Sequence, residues 1–365
     1  MRRTAPALLV FFGILAGLAF CEAYVRLTRP QHVFLSSQDD MDGVRCPLPS
    51  LSGRQSVPGM FDVLVSFNSQ RFRGKKEYAP NPAPPTVRVA MLGDSFTFGY
   101  GANDDETYPF FLESALARRN QNVEVINAAN IGTATLTQAL WYDLWVRRFS
   151  PDIVILNVNS NDMLEELNTG LFVMDEKGEV APGLLAQRLA QTRFNRGLRK
   201  SVRMIPGYIW MSQRSHLLAM IRSRFSVAAQ LKDSGAAAAP KKEDIRKRLA
   251  QGDPMLRGVI RWLKARVEKS GGKLVLVFIP FHASFDGQPW STGEDHRREH
   301  DAIRRMIGPF AARAGLPFLD LTPGLTAAYK AGEKMFYRDG HPNPQGNLVM
   351  ARLVGDFLLA RKIVR

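Results

Sequence analysis

Two short stretches far apart in this chain hold residue types that can make a nucleophile. Ser95 stands in Gly93-Asp94-Ser95, directly after the apolar run Val87 to Leu92. His341 stands in Asp339-Gly340-His341, two residues beyond an aspartate. A serine hydroxyl attacks a carbonyl poorly until a base takes its proton, and imidazole is the side chain best matched to that task near neutral pH. A carboxylate behind the imidazole fixes its tautomer. The order Ser95, Asp339, His341 therefore spells a nucleophile, an orienter and a general base. Two further positions supply groups for a developing negative charge. Gly132 follows an apolar run and lets backbone approach a ligand closely. Asn161, just past another such run, can donate a side-chain N–H to an oxyanion. Each has a plainer reading when taken singly: Asp94 or Ser95 as a turn residue, Gly132 as a turn glycine, Asn161 as a turn closer, His341 as a surface helix cap.

These residues need a scaffold, and the pattern supplies one. Val87 to Leu92 reads as a strand leading into Ser95, with a helical pattern after it at Tyr108, Phe111, Leu112, Ala115 and Leu116. Val123 to Asn130 is a second strand, followed by Gly132 and a helix with Leu136, Ala139, Leu140 and Leu144 on its apolar face. Asp152 to Asn159 is a third, uninterrupted in its apolar run as a strand buried on both faces would be. Asp253-Pro254 carries helix-start signals, and Lys273 to Pro280 and Pro317 to Leu321 are the fourth and fifth strands. A helix with Leu348, Val349, Leu353, Val354, Phe357 and Leu358 closes the chain. Strands alternating with helices predict an α/β domain: a parallel sheet with right-handed crossovers and helices on both faces. Each chemical residue falls at a strand end or before a helix, where open α/β sheets bind ligands.

Taken together, these blocks resemble the SGNH/GDSL hydrolase superfamily. Gly93-Asp94-Ser95 is similar to its first block, Asn127 to Gly132 to its second, Asn159-Ser160-Asn161-Asp162 to its third and Asp339-Gly340-His341 to its last. The resemblance implies a three-layer α/β/α fold with a flavodoxin-like sheet. It implies Ser95 as nucleophile, His341 as base and Asp339 as its partner. The implied oxyanion hole is the Ser95 N–H, the Gly132 N–H and the Asn161 side chain. The chain departs from the usual pattern in its Asp-x-His spacing, where Asp-x-x-His is common, in Ser160, where a glycine usually precedes Asn161, and in the aromatic Phe96 after Ser95. The shorter spacing also occurs in envelope-associated branches, including relatives that move acetyl groups on exopolysaccharides.

Composition sets the surroundings. The chain has 365 residues, 45% of them apolar, and a formal net charge of +15. That charge suits anionic partners such as phospholipid head groups or an acidic polysaccharide. Cys21 and Cys46 are its two cysteines, so neither a disulfide framework nor a cysteine-rich metal site is expected. Arg2-Arg3 precede an apolar run from Ala7 to Cys21, which reads as an export signal retained as an anchor. This predicts residues 1–29 as a single inner-membrane pass with the rest in the periplasm, or an exported protein if the signal is cleaved. Residues 30–85 read as a tether and extension, and 86–362 as the hydrolase-like domain. Within it, about 163–251 reads as a helical, basic insertion, suited to anionic lipid or to an acidic polymer. Nucleic-acid binding is disfavoured by the export signal and by the lack of a recognised module. The spacing of His296 and His300 could hold a metal, but no third ligand is near and arginines crowd the site, so neither metal nor cofactor is expected. His282 reads as a loop residue near the site. The implied substrate is an acylated small molecule or carbohydrate; the runner-up is a non-catalytic polysaccharide-binding protein on the same fold.

Overall fold

The computed structural model describes residues 4–33, 38–41, 44–119, 121–160, 162–163, 167, 170–183, 206–224, 245–281 and 294–364. The described residues fall into two compact units. The smaller holds 4–33, 53–64 and 206–224, and the larger holds the rest.

In the smaller unit, α1 (Thr4–Thr28) is a continuous apolar helix. Its stretch Leu8–Thr28 is long and apolar enough to cross a membrane, a property that signal sequences share. Among the described residues of the whole chain, three short pairs of strands lie outside the main sheet: β1 (Gln38–Met41) with β2 (Val44–Pro47), β3 (Leu51–Val57) with β4 (Phe61–Phe67), and β8 (Phe172–Met174) with β9 (Val180–Pro182).

The larger unit is built on a parallel sheet. Its strands are β5 (Val87–Leu92), β6 (Val123–Asn127), β7 (Ile153–Asn159), β10 (Lys273–Ile279) and β11 (Phe318–Asp320). Their order is β11-β10-β7-β5-β6. The pairing is in register from Val87 against Val123 and from Val89 against Ile153. Side chains alternate between the faces because the strand period is two. Ala90, Leu92, Val154, Leu156, Leu276 and Phe278 go to one core, covered by α4 (Thr135–Leu144), α5 (Ile245–Lys269) and α6 (Glu294–Arg313). Val89, Met91, Ile153, Ile155, Val275 and Val277 go to the other, under α3 (Tyr108–Ala117), α7 (Thr322–Lys330) and α8 (Pro344–Ala360). This is the three-layer α/β/α fold with flavodoxin-like strand order. Each fully buried Val, Leu or Ile contributes about 1.5–3 kcal/mol relative to exposure, so the sheet is the stable frame. The chain leaves β5 for β6 on one side and returns for β7 on the other. A crevice therefore opens beyond the ends of β5 and β7, the usual ligand position in such sheets.

Three expectations need correction. The helix expected to start at Asp253-Pro254 is the middle of α5, which begins at Ile245 and has Pro254 inside it. Ile245 and Leu256 are both buried, so the apolar face extends upstream. Asp253 bonds Arg257 one turn on instead of capping. Ala250 is exposed, so solvent can take the carbonyl that Pro254 cannot serve. Second, the residues before Thr86 do more than tether: Val44, Cys46, Phe72 and Tyr78 are buried in the core beside α4. Third, the insertion is not wholly helical. β8 (Phe172–Met174) pairs antiparallel with β9 (Val180–Pro182). Asp175 makes the turn by accepting the Lys177 and Glu179 N–H groups at 2.9 and 2.8 Å, and Gly178 takes φ 78°.

Candidate active site

The site begins where β5 ends. A Cβ on Gly93 would lie 2.1 Å from Oγ1 of Thr97, which is fully buried, so only glycine fits. Asp94 then caps the single-turn helix α2 (Ser95–Phe98), its Oδ1 accepting the Phe96 N–H at 2.9 Å. Gly99 ends the turn at φ 84°. Ser95 is thus the first helical residue, half-buried, its backbone N–H among those a helix start leaves without an intrahelical partner.

The ends of β6 and β7 are tied to this turn. The Asn130 N–H bonds the Gly93 carbonyl at 3.0 Å, and Gly132 follows two residues on, exposed, with φ 67°. Asn157 donates to the Leu92 carbonyl at 2.9 Å. Asn159 donates to the second oxygen of Asp94. Asp162 accepts the Asn159 N–H and the Thr135 hydroxyl, each at 2.9 Å. Burial pushes the Asp94 carboxyl up, opposed by the Phe96 N–H, the Asn159 amide and the His341 charge. Asp94 is therefore a structural cap at the base of the site.

His341 arrives from the loop before α8. Phe336 pairs with Pro342, the Tyr337 N–H bonds the His341 carbonyl at 2.9 Å, and the Gly340 N–H bonds the Tyr337 carbonyl at 3.0 Å. Gly340 takes φ 87°. This folds Asp339 back, so that Oδ1 accepts the His341 N–H at 3.1 Å. Its other oxygen lies 3.1 Å from His341 Nδ1, at ion-pair distance but off the line of a straight hydrogen bond. Burial pushes the Asp339 carboxyl up, but the bonds and charge from His341 outweigh this and hold it below the ordinary carboxylate range. The rings of Tyr100 and Phe96 flank the imidazole, with centroids at 4.4 and 5.2 Å. His341 Nε2 lies 3.0 Å from Ser95 Oγ. Two side chains 246 positions apart thus meet at hydrogen-bond distance.

Of the residues singled out from the sequence, Ser95, His341 and Asp339 come together, and Gly132 lies on the loop joined to Gly93 through Asn130. Asn161 and His282 lie outside the described residues, as does the side chain of His296. His300 is buried, with Nδ1 3.1 Å from Asp301 and its ring 5.5 Å from that of Phe278. Sequence reasoning missed Asn157 and gave Asn159, named only within the third block, no role of its own. Their signal was two amides in a strand otherwise apolar on both faces, since buried polar groups need partners. It also missed Arg73, whose buried guanidinium sits 4.6 Å above the Phe98 ring, 3.2 Å from Asp104, and donates to the Ala102 carbonyl. Burial pulls it down to about 10, opposed by Asp104, so it stays charged near neutral pH and braces the loop after α2.

This arrangement can activate a serine for attack on a carbonyl. An arylesterase of Vibrio mimicus is 30% identical to this chain over 77 residues, 21% of the chain and 38% of the relative's own length. Solved structures with similar folds include a lipolytic protein of the G-D-S-L family from Desulfitobacterium hafniense (14% identity, 74% of this chain and 99% of that one, TM-score 0.42). A psychrotrophic esterase from Pseudoalteromonas is also similar (12% identity, 76% and 98%, TM-score 0.41). So is an acetylxylan esterase from Geobacillus stearothermophilus (13% identity, 74% and 94%, TM-score 0.41). The family model for GDSL-like lipases and acylhydrolases matches residues 91–349, from the strand before Ser95 to the helix after His341, and the chain belongs to that family.

Proposed function

We propose that this protein is a serine-dependent carboxylic-ester hydrolase or O-acyl transferase, working through an acyl-Ser95 intermediate. The observation that carries the reading is the 3.0 Å approach of Ser95 Oγ to His341 Nε2 at the sheet's switch point. Ser95 Oγ attacks the ester carbonyl as its proton passes to Nε2. The tautomer this needs carries its proton on Nδ1, the nitrogen facing Asp339. The tetrahedral oxyanion is met by the Ser95 and Gly132 N–H groups and the Asn161 amide; one such donor supplies about 3–4 kcal/mol in the transition state. His341 then protonates the leaving alkoxide, and the C–O bond to it breaks. Water, or a sugar hydroxyl, gives up a proton to His341 and attacks acyl-Ser95; the bond from the acyl carbon to Oγ then breaks as His341 returns the proton to Ser95, releasing acid or a new ester.

The substrate class we assign is an acetylated envelope or exported carbohydrate, met in the periplasm by a domain held to the inner membrane by α1. Its support is the apolar N-terminal helix behind Arg2-Arg3, the net charge of +15 and the Asp-x-His spacing. The test is turnover of p-nitrophenyl acetate and of acetylated oligosaccharides, with and without acceptor sugars, by the parent, Ser95→Ala and His341→Ala. Release of acetate or its transfer to the acceptor, lost in both variants, supports the reading. Tight binding of the oligosaccharide without either product would replace it with a polysaccharide-binding role.

A further inference from the structure

The smaller unit holds a polar clamp that the ester chemistry does not use. Glu22 lies on α1, and its carboxylate accepts the Ser215 hydroxyl at 2.7 Å, the His216 N–H at 3.0 Å and the Leu217 N–H at 2.9 Å. The last two are first-turn groups of the helix over 216–224. Arg26, one turn after Glu22, pairs with it at 3.1 Å and donates to the Arg214 carbonyl at 2.7 Å. The Gln31 N–H bonds His216 Nδ1 at 2.8 Å. The C-terminal end of the apolar helix is thereby fastened to a segment nearly two hundred positions away.

We infer that residues 206–224 form a seat for an anionic phospholipid surface, held there by the Glu22 clamp on an α1 that stays part of the mature protein. The depth is set by α1. About twenty helical residues cross the hydrocarbon core; with Arg2-Arg3 kept in the opposite head groups they run from Thr4 to Ala23, so the C-terminal part of the Leu8–Thr28 stretch emerges from the core. Glu22 and Arg26 then fall where hydrocarbon gives way to head groups, and the clamped segment lies in that same plane. A carboxylate at that boundary is costly unless paired, and here it has four donors. The segment carries what an interface accepts. Trp210 is 61% exposed, and Met211 and Ile221 are exposed with it. Tyr24 on α1 is also exposed, so aromatic rings mark the level from both elements. Arg214, Arg222 and Arg224 lie in 206–224 with no acidic residue among them, and Arg29 adds to the charge, while Arg26 is balanced by Glu22. The Arg214 guanidinium lies 5.1 Å from the Trp210 ring, so cation and aromatic face the boundary together. Basic side chains beside an apolar span are attracted to anionic head groups.

The test uses the full chain, with Cys21→Ser and Met211→Cys, labelled at position 211 with an environment-sensitive fluorophore and placed in nanodiscs. With phosphatidylglycerol present, the emission shifts to the blue and is quenched several-fold by a shallow nitroxide lipid. Phosphatidylcholine alone, or Arg214, Arg222 and Arg224 together changed to Gln, loses most of that quenching. Glu22→Ala loses it too, and Ser215→Ala weakens it, while near-UV circular dichroism stays that of the parent. A label open to aqueous iodide in every disc would overturn the inference, as would equal quenching without anionic lipid. Finding the exported chain cut at Ala23 by intact mass would also overturn it. A label shielded by an acidic polysaccharide and not by lipid assigns the surface to another partner and sinks it.

Discussion

Asp339→Asn separates the electrostatic role of Asp339 from its structural one. Asparagine keeps the acceptor that holds the turn, because its Oδ1 can still take the His341 N–H that Asp339 takes at 3.1 Å. What changes is the group facing Nδ1. A carboxylate 3.1 Å from Nδ1 favours a proton there and the cation formed as Ser95 attacks. An amide N–H in its place favours the other tautomer, whose Nε2 cannot accept the serine proton. Both side chains are partly exposed, at 25% for His341 and 33% for Asp339, so the interior dielectric does not apply. With an effective dielectric of about 40, unit charges at that separation interact by roughly 2.7 kcal/mol, on the order of a hundredfold in rate. The expected result is a kcat about 10²-fold lower with KM little changed, since the interaction grows only as His341 gains charge. The assay is steady-state hydrolysis of p-nitrophenyl acetate, with thermal unfolding to confirm the turn. A kcat within about threefold of the parent would refute the reasoning and leave Ser95 and His341 working as a pair.

The same contact has a pH signature. The Asp339 carboxyl is held below its ordinary range, so its contribution to stability is present above the unfolded carboxylate value of about 4 and is lost as pH falls through the folded value. The stability difference between parent and Asp339→Asn in urea titrations should therefore shrink as pH falls into strong acid. Gly93→Ala drives a methyl into Thr97, so it should cost about 2 kcal/mol or more in urea unfolding and remove activity in the folded fraction. Arg88→Ala acts at the other end of β5. Arg88 is 1% exposed, pairs with Glu124 at 2.6 Å and donates to the Ala79 carbonyl, so its loss should cost about 3–5 kcal/mol while activity per folded molecule is kept.

The sheet was legible because buried parallel strands need apolar runs, and the runs stand out even where Arg88 and Glu124 interrupt β5 and β6, since those two pair with each other. The site was legible because Ser95, Gly132 and Asn161 follow strand runs and Asp339 and His341 precede the closing helix. Less visible were features that depend on packing between distant segments. Phe72 and Tyr78 lie in a proline-rich, polar stretch, and nothing local says that they fill the core beside α4. Asp253-Pro254 carries two helix-start signals, yet the apolar face of α5 continues upstream to Ile245 and overrides them. The Asp-x-His spacing suggests extended backbone with both side chains on one side. The structure instead uses Gly340 at φ 87° and an Asx turn to bring them together. Asn159 opens the third block, but the sequence assigns the oxyanion role to Asn161 and none to Asn159, which binds Asp94. Glu22, which merely interrupts an apolar run in the sequence, has partners that lie in the insertion.

The most direct test of the account is covalent. The parent, Ser95→Ala and His341→Ala are each incubated with a fluorophosphonate and examined by intact mass and peptide mapping. The account predicts one adduct per parent chain, on Ser95, none on Ser95→Ala, and labelling of His341→Ala slower by on the order of 10³-fold or more. An adduct on another residue, or labelling of Ser95 at parental rate without His341, would contradict it.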